Sequence, residues 1–369
     1  MIDGHGGNIY QLAQRLNCRT SDIVDMSANV NPLGPMPELV DHLKASLSAI
    51  ASLPEVDARS IVDAFARFHG IDPAGVMAGN GTTQIIYLIP RALEAKQALI
   101  VGPTYADYQD ACVMNRVPVD RLTSREQNGF VPDIQAIGEK AVAADLVFLC
   151  NPNNPTGILT HRADIEALCR ACPGTVFVID ESYLPFTSNP TDASLIGADL
   201  PNAVVLNSMS KAFRIPGLRI GFLKASEPVM EKLAFYRQPW SVNGLAQAAV
   251  HWLMTHRQEV DAFLAKSYRF IEEQKSQMIS AIHDQTPIRT VPSATAFVLM
   301  RLPGGLTASV VWEFLADHRI LIRDCANFSG LSDAFIRVSV KNEAENQRAL
   351  RLLVQLCREH AGGEECHAS

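Results

Sequence analysis

The chain has 369 residues, 47% of them hydrophobic and 19% charged, a composition that excludes a disordered chain and suffices for one large or two medium domains. Its formal net charge is -7 with no basic cluster, which argues against nucleic acid as the main partner. No apolar run approaches the ~20 residues that span a bilayer, so no membrane partner is expected.

The opening Met1-Ile2-Asp3-Gly4-His5-Gly6-Gly7 lacks a charged-then-apolar signal pattern, and a cytoplasmic protein is expected. The 8 cysteines are then read as reduced, mostly buried thiols. Cys169-Arg170-Ala171-Cys172 has no second such pair, and the tail Cys357, His360, Cys366, His367 reads as a frayed end. No metal site is expected.

In chain order, a helical pattern runs through Ile9, Leu12, Ala13 and Leu16, followed by the polar loop Met26–Gly34. An amphipathic helix is predicted over 58–69. Val76–Thr83 then leads into an apolar helix from Gln84 to Leu93. A glycine-rich turn opening a helix offers free N–H groups and a positive dipole end, which makes Gly81, Thr82 and Thr83 candidates to hold a phosphate. Apolar strands are predicted at Ala98–Gly102, Leu146–Cys150, Thr175–Ile179, Ala203–Leu206 and Arg219–Leu223, with helices near 105–115, 133–144 and 161–171. Such alternation implies an α/β domain with a mostly parallel sheet. Beyond Pro239-Trp240, long helical stretches over 244–283 precede strands at Ala296–Met300, Ile320–Arg323 and Phe335–Val340 and a closing helix over 343–358. The expected division is a large α/β domain over 45–238 and a smaller α+β domain built from 1–44 and 239–369.

Ligands of such sheets bind at strand ends, and the chemistry-bearing residues cluster there. Ser208-Met209-Ser210-Lys211, with Arg219 further on, follows a predicted strand. A lysine among hydroxyls and a second cation suits pyridoxal 5′-phosphate (PLP): the amine condenses with the aldehyde, and hydroxyl and guanidinium groups hold the phosphate. PLP also needs a carboxylate facing its ring nitrogen, donors for its O3′ and an aromatic cover. Asp180 ends a strand, Asn154 and Tyr183 end neighbouring segments, and Tyr105 begins the helix after Ala98–Gly102.

The ordered set Asn154-Pro155-Thr156-Gly157, Asp180-x-x-Tyr183, Ser208-x-Ser210-Lys211 and Arg219 resembles the fold-type I PLP enzymes of the aspartate aminotransferase class over nearly the whole chain. The resemblance implies that Lys211 links to the cofactor and carries protons. By the same resemblance Asp180 pairs with the pyridinium, Asn154 and Tyr183 bond O3′, and Tyr105 stacks on the ring. Gly81, Thr82, Ser208, Ser210 and Arg219 would hold the cofactor phosphate. It also implies a homodimer with active sites at the subunit interface. His5-Gly6-Gly7-Asn8, Ser27–Gly34, Gln238–Asn243 and Ile320–Leu331 further resemble the threonine-phosphate decarboxylases of cobalamin biosynthesis. That branch implies decarboxylation of L-threonine O-3-phosphate to (R)-1-amino-2-propanol O-phosphate. Serine phosphate decarboxylation and a histidinol-phosphate-type aminotransferase are the alternatives. Arg337 would take the substrate carboxylate, and Arg323, His5 and Asn29 its phosphate. Two positions depart from the pattern. Leu53 stands near where relatives place a tyrosine that reaches the partner's cofactor phosphate, and Ala296 where they place asparagine.

Overall fold

The computed structural model describes residues 6–367, with side chains through His360. The strands, in chain order, are β1 (Val24–Asp25), β2 (Val76–Asn80), β3 (Ala98–Gly102), β4 (Val119–Thr123), β5 (Leu146–Cys150), β6 (Val176–Asp180), β7 (Ala203–Ser208), β8 (Ile220–Lys224), β9 (Arg289–Thr290), β10 (Phe297–Arg301), β11 (Ile320–Leu321), β12 (Arg323–Asp324) and β13 (Phe335–Ser339). A seven-stranded sheet has the order β2-β8-β7-β6-β5-β3-β4. Its pairs are parallel except that β8 runs antiparallel to both β2 and β7. The chain is thus of the expected α/β class.

The central strands are apolar on both faces because both are covered. Leu99, Val101, Val147, Leu149, Phe177 and Ile179 pack into one layer, and Ala98, Ile100, Leu146, Phe148 and Val178 into the other. Cys169 and Cys172 lie in the first of these layers. A second sheet, β12-β13-β10-β9, is antiparallel and packs Val298, Met300, Ile336 and Val338 against Met278, Ile282, Val311 and Leu353.

Several boundaries differ from expectation for identifiable reasons. β8 begins at Ile220 because Arg219 has left-handed backbone (φ 54°), closing the turn Pro216–Leu218 before the strand can start. The predicted strand Ile320–Arg323 changes partners midway: β11 pairs with β1, and β12 pairs with β13. The predicted stretch 244–283 is two helices, Gly244–Thr255 and Arg257–Gln285, interrupted at His256. The closing helix extends over Glu343–His367. β2 and the polar edge strand β4 stand where no strand was predicted.

The expected division at residue 239 does not follow a packing boundary. Met36, Leu39 and the helix Gly244–Thr255 share the core of the large sheet. The helix Arg257–Gln285 then crosses between cores: Val260 lies with one face of the large sheet, Ile271 with the other, and Met278 and Ile282 with the small sheet. Among the described residues no helix is long and apolar enough to cross a membrane.

Candidate active site

The strand ends of the large sheet converge on Lys211. Register sets Cys150 beside Asp180, Asp180 beside Leu206, and Ser208 beside Gly221. Lys211 follows in the short helix Met209–Ala212 that β7 runs into. It lies between two adjoining cavities and lines both. One, of about 70 Å³, is also lined by Gly81, Thr82, Thr83, Tyr108, Asp180, Ser208, Ser210 and Arg219. The other, of about 190 Å³, is lined by Gly6, Ser27, Ala28, Asn29, Arg323, Asn327, Phe328 and Arg337. Tyr105, Asn154 and Tyr183 face both.

Burial, together with Arg337 and Arg219, pushes the Lys211 ammonium down to about 8, against the pull of Asp180 and Asp107. A neutral amine near physiological pH is the form that attacks an aldehyde. Burial raises the Asp180 carboxyl pKa, and hydrogen bonds from Ser182 and Tyr108 oppose it. Asp180 accepts from the Ser182 N–H at 3.0 Å, from the Ser182 hydroxyl and from the Tyr108 hydroxyl at 2.8 Å. Tyr108 in turn stacks on Phe148, and Tyr105 meets it edge-on.

The smaller cavity fits a phosphate ester. Ser210 Oγ is buried with no hydrogen-bond partner among the described residues. A Cβ on Gly81 would fall 2.6 Å from Arg219 Nη2, and one on Gly221 2.6 Å from the Thr82 nitrogen, so both glycines leave room that a side chain would fill. The helix Gly81–Ala92 points its N-terminal N–H groups at this space, and Arg219 reaches it because of its left-handed backbone. The lining fits PLP: these donors would hold its phosphate, Asp180 would pair with its ring nitrogen, and Lys211 would meet its aldehyde.

Around the larger cavity, Arg337 Nη1 donates to Asn154 Oδ1 and its Nη2 to the Ser27 carbonyl at 2.6 Å. Its Nε has no partner among the described residues. Arg323 donates to the Asp324 carbonyl at 2.7 Å and to Asn327 Oδ1 at 2.6 Å, and its guanidinium lies over the Phe328 ring at 4.8 Å. The Asn29 side chain accepts from Ser339 Oγ at 2.7 Å and donates to the Tyr183 hydroxyl at 3.4 Å. Asn29 is therefore tied to the O3′ candidate Tyr183 as well as facing the cavity. His5 lies outside the described residues. Ala296 is buried beside Phe297 and lines neither cavity, and Leu53 is on the surface.

Tyr108 was not singled out by sequence reasoning, and Ser182, Asn327 and Phe328 fell within the motif stretches without a role assigned to them. Tyr108 stands three residues after Tyr105, a spacing that puts both on one side of a helical turn, and Ser182 stands two after Asp180, within reach of its carboxylate. Asn327 and Phe328 lie in the Ile320–Leu331 stretch that carried the resemblance, which gave them no role of their own.

The family model for Aminotransferase class I and II matches residues 21–353. The chain is 31% identical to the threonine-phosphate decarboxylase of Salmonella typhimurium, covering 95% of each chain. It is 31% identical to a histidinol-phosphate aminotransferase of Symbiobacterium thermophilum, covering 90% of each. The crystal structure of L-threonine-O-3-phosphate decarboxylase from Porphyromonas gingivalis superposes with a TM-score of 0.81 at 32% identity, covering 90% of this chain and 99% of that one. The chain belongs to the aminotransferase class I and II family, whose cofactor is PLP.

Proposed function

We propose that the protein decarboxylates a phosphorylated amino acid, L-threonine O-3-phosphate, to (R)-1-amino-2-propanol O-phosphate. The observation that carries the reading is a pair of cations. β12 and β13 set Arg323 directly opposite Arg337, and both guanidinium groups face the cavity that holds Lys211. Like charges directly opposed in a ladder are destabilising, and neither arginine has a carboxylate within 4.0 Å among the described residues. A substrate with a carboxylate and a phosphate would neutralise both. The similarity to threonine-phosphate decarboxylases supports the same choice.

In this reading Gly81, Thr82, Thr83, Ser208, Ser210 and Arg219 hold the cofactor phosphate. Asp180, braced by Tyr108 and Ser182, keeps the ring nitrogen protonated, and Asn154 and Tyr183 bond O3′. Bound PLP supplies an aldehyde that condenses with an amine and a protonated ring that accepts an electron pair from Cα. The chain would decide which Cα bond breaks through the residues that orient the substrate's carboxylate and phosphate. Arg323 fixes the phosphate arm, with Arg337 on the carboxylate, and together they set rotation about the Cα–N bond. When the bond to the carboxylate carbon breaks, CO2 leaves and its electron pair stays behind at Cα. Lys211 then delivers a proton to Cα.

The serine analogue lacks one methyl group, a difference worth only about 1–3 kcal/mol in a pocket. The experiment that tests the reading supplies O-phospho-L-threonine without a keto acid and identifies the products. Transfer of an amino group from histidinol phosphate to 2-oxoglutarate, with no CO2, would favour the aminotransferase alternative.

The same reading makes the protein a homodimer. Leu47, Ile50, Leu53, Val56, Phe235 and Trp240 are exposed, and the two segments adjoin where the Trp240 N–H donates to the Val56 carbonyl at 2.8 Å. Exposed apolar side chains on two adjoining segments suit a second copy. Sedimentation should give twice the 40.3 kDa of one chain, and glutamate at both Ile50 and Leu53 should give the monomer. A wild-type monomer at micromolar concentration would refute this.

A further inference from the structure

Arg337, Ser339 and Lys341 alternate along β13 and its continuation, so they share one side of the strand. All three reach one turn, residues 26–29. Arg337 Nη2 donates to the Ser27 carbonyl at 2.6 Å. Ser339 donates through its N–H to the Met26 carbonyl at 2.8 Å and through Oγ to Asn29 Oδ1 at 2.7 Å. Lys341 Nζ donates to the Ala28 carbonyl at 3.2 Å. Asp25 Oδ1 holds the turn's donors, accepting from the Ser27 N–H at 2.9 Å, the Ser27 hydroxyl at 2.7 Å and the Ala28 N–H at 3.1 Å.

This turn is a wall of the larger cavity, through Ser27, Ala28 and Asn29. It also seats the adjoining segment: the Gly7 N–H donates to Ser27 Oγ at 2.7 Å, and a Cβ on Gly6 would fall 2.9 Å from the Ser27 carbonyl.

Of the three side chains, Lys341 alone has no part in the site described above. It is buried, and its backbone is locked by Asn346, which accepts from the Lys341 N–H and donates to its carbonyl, each at 2.8 Å. Burying an ammonium costs several kcal/mol, and an apolar side chain of similar length would pack there without that cost. The charge therefore calls for a role. We propose that Lys341 is a positioning residue of the substrate pocket: its ammonium holds the Ala28 carbonyl, and with it the Ser27–Asn29 wall, in the form that accepts a substrate bearing both a carboxylate and a phosphate. The inference rests on the phosphoamino-acid reading.

The groups facing Lys341 define its pH range. Burial, Arg214 and Arg337 oppose the ammonium, Asp25 and Glu345 favour it, and together they bring it down to about 8. It is thus charged at neutral pH and loses its charge as pH rises through about 8. The neutral amine still donates, but without charge assistance the hydrogen bond is weaker. Affinity for a ligand bearing both a carboxylate and a phosphate should fall on the alkaline side.

The test uses the cofactor-loaded enzyme and 3-phosphoglycerate, which carries a carboxylate and a phosphate but no amine to condense with the cofactor. Calorimetry measures its Kd from pH 7 to 9.5 for the wild type, K341R and K341M, with lactate as the phosphate-free control. The wild-type Kd should weaken about tenfold across this range, the size of one lost charge-assisted hydrogen bond. K341R should bind tightly with no alkaline loss, and K341M should bind about tenfold more weakly throughout. Cofactor absorbance should be equal in all three. Wild-type-like binding by K341M at pH 7, or an unchanged alkaline loss in K341R, would overturn the role. Should K341M fail to fold, the K341R profile decides alone. A wild type that binds 3-phosphoglycerate no better than lactate would instead remove the phosphoamino-acid reading, and this role with it.

Discussion

In the proposed role Lys211 must be an uncharged nucleophile, which an ordinary lysine in neutral water is not. Burial, aided by Arg337 and Arg219, disfavours the ammonium and brings it down to about 8. The neutral fraction therefore grows as pH rises towards 8 and saturates above it. Protein stripped of cofactor should capture PLP at a rate that rises from pH 6 and levels off with a midpoint near 8. A midpoint near the ordinary lysine value of about 10.4 would mean that the amine is solvated. The residues that chemistry demands by type were legible in the sequence. A lysine, a carboxylate and an arginine at predicted strand ends have few other joint explanations. Tyr108 and the part played by Ser182 were not, because both hydrogen-bond Asp180, and many side chains could hold a carboxylate.

The proposed phosphate cradle lies where two elements approach closely. β8 passes so near the start of the helix Gly81–Ala92 that a Cβ on Gly221 would meet the Thr82 nitrogen at 2.6 Å and its Cγ2 at 2.8 Å. Gly221→Ala must push the helix start away from Arg219 and Ser208. We expect cofactor affinity to drop by at least about tenfold, one charge-assisted hydrogen bond's worth. The cofactor-free protein should also lose about 1–3 kcal/mol of stability, because the clash is with backbone. Unchanged affinity would show that the cradle is not set by this contact. Apolar runs such as Leu146–Cys150 announced themselves as strands, but periodicity does not name a strand's partner. That is why the sequence suggested one strand at Ile320–Arg323, where the chain pairs first with β1 and then with β13. The same limit hid β4, whose Asp120 and Arg121 mark it as a sheet edge and break the apolar pattern.

At the scale of the molecule, the larger cavity lies where three parts of the chain meet: the strand ends of the large sheet, the turn at 26–29, and the β12–β13 pair of the small sheet. The helix Arg257–Gln285, packed into both cores, ties the small sheet to the large one. This arrangement brings Arg323 and Arg337 over Lys211 although more than a hundred residues separate them in sequence. No sequence pattern displays such a meeting; it follows from the register of two short strands. Among the described residues neither arginine has a carboxylate within 4.0 Å, and in the proposed reading the pair would receive an amino acid bearing both a carboxylate and a phosphate. The most direct measurement is to supply the PLP-loaded protein with O-phospho-L-threonine labelled at the carboxyl carbon, without a keto acid, and to follow the label. The account predicts labelled CO2 and 1-amino-2-propanol phosphate in equal amounts over many turnovers. Retention of the label in a keto acid, or no turnover until a keto acid is added, would contradict it.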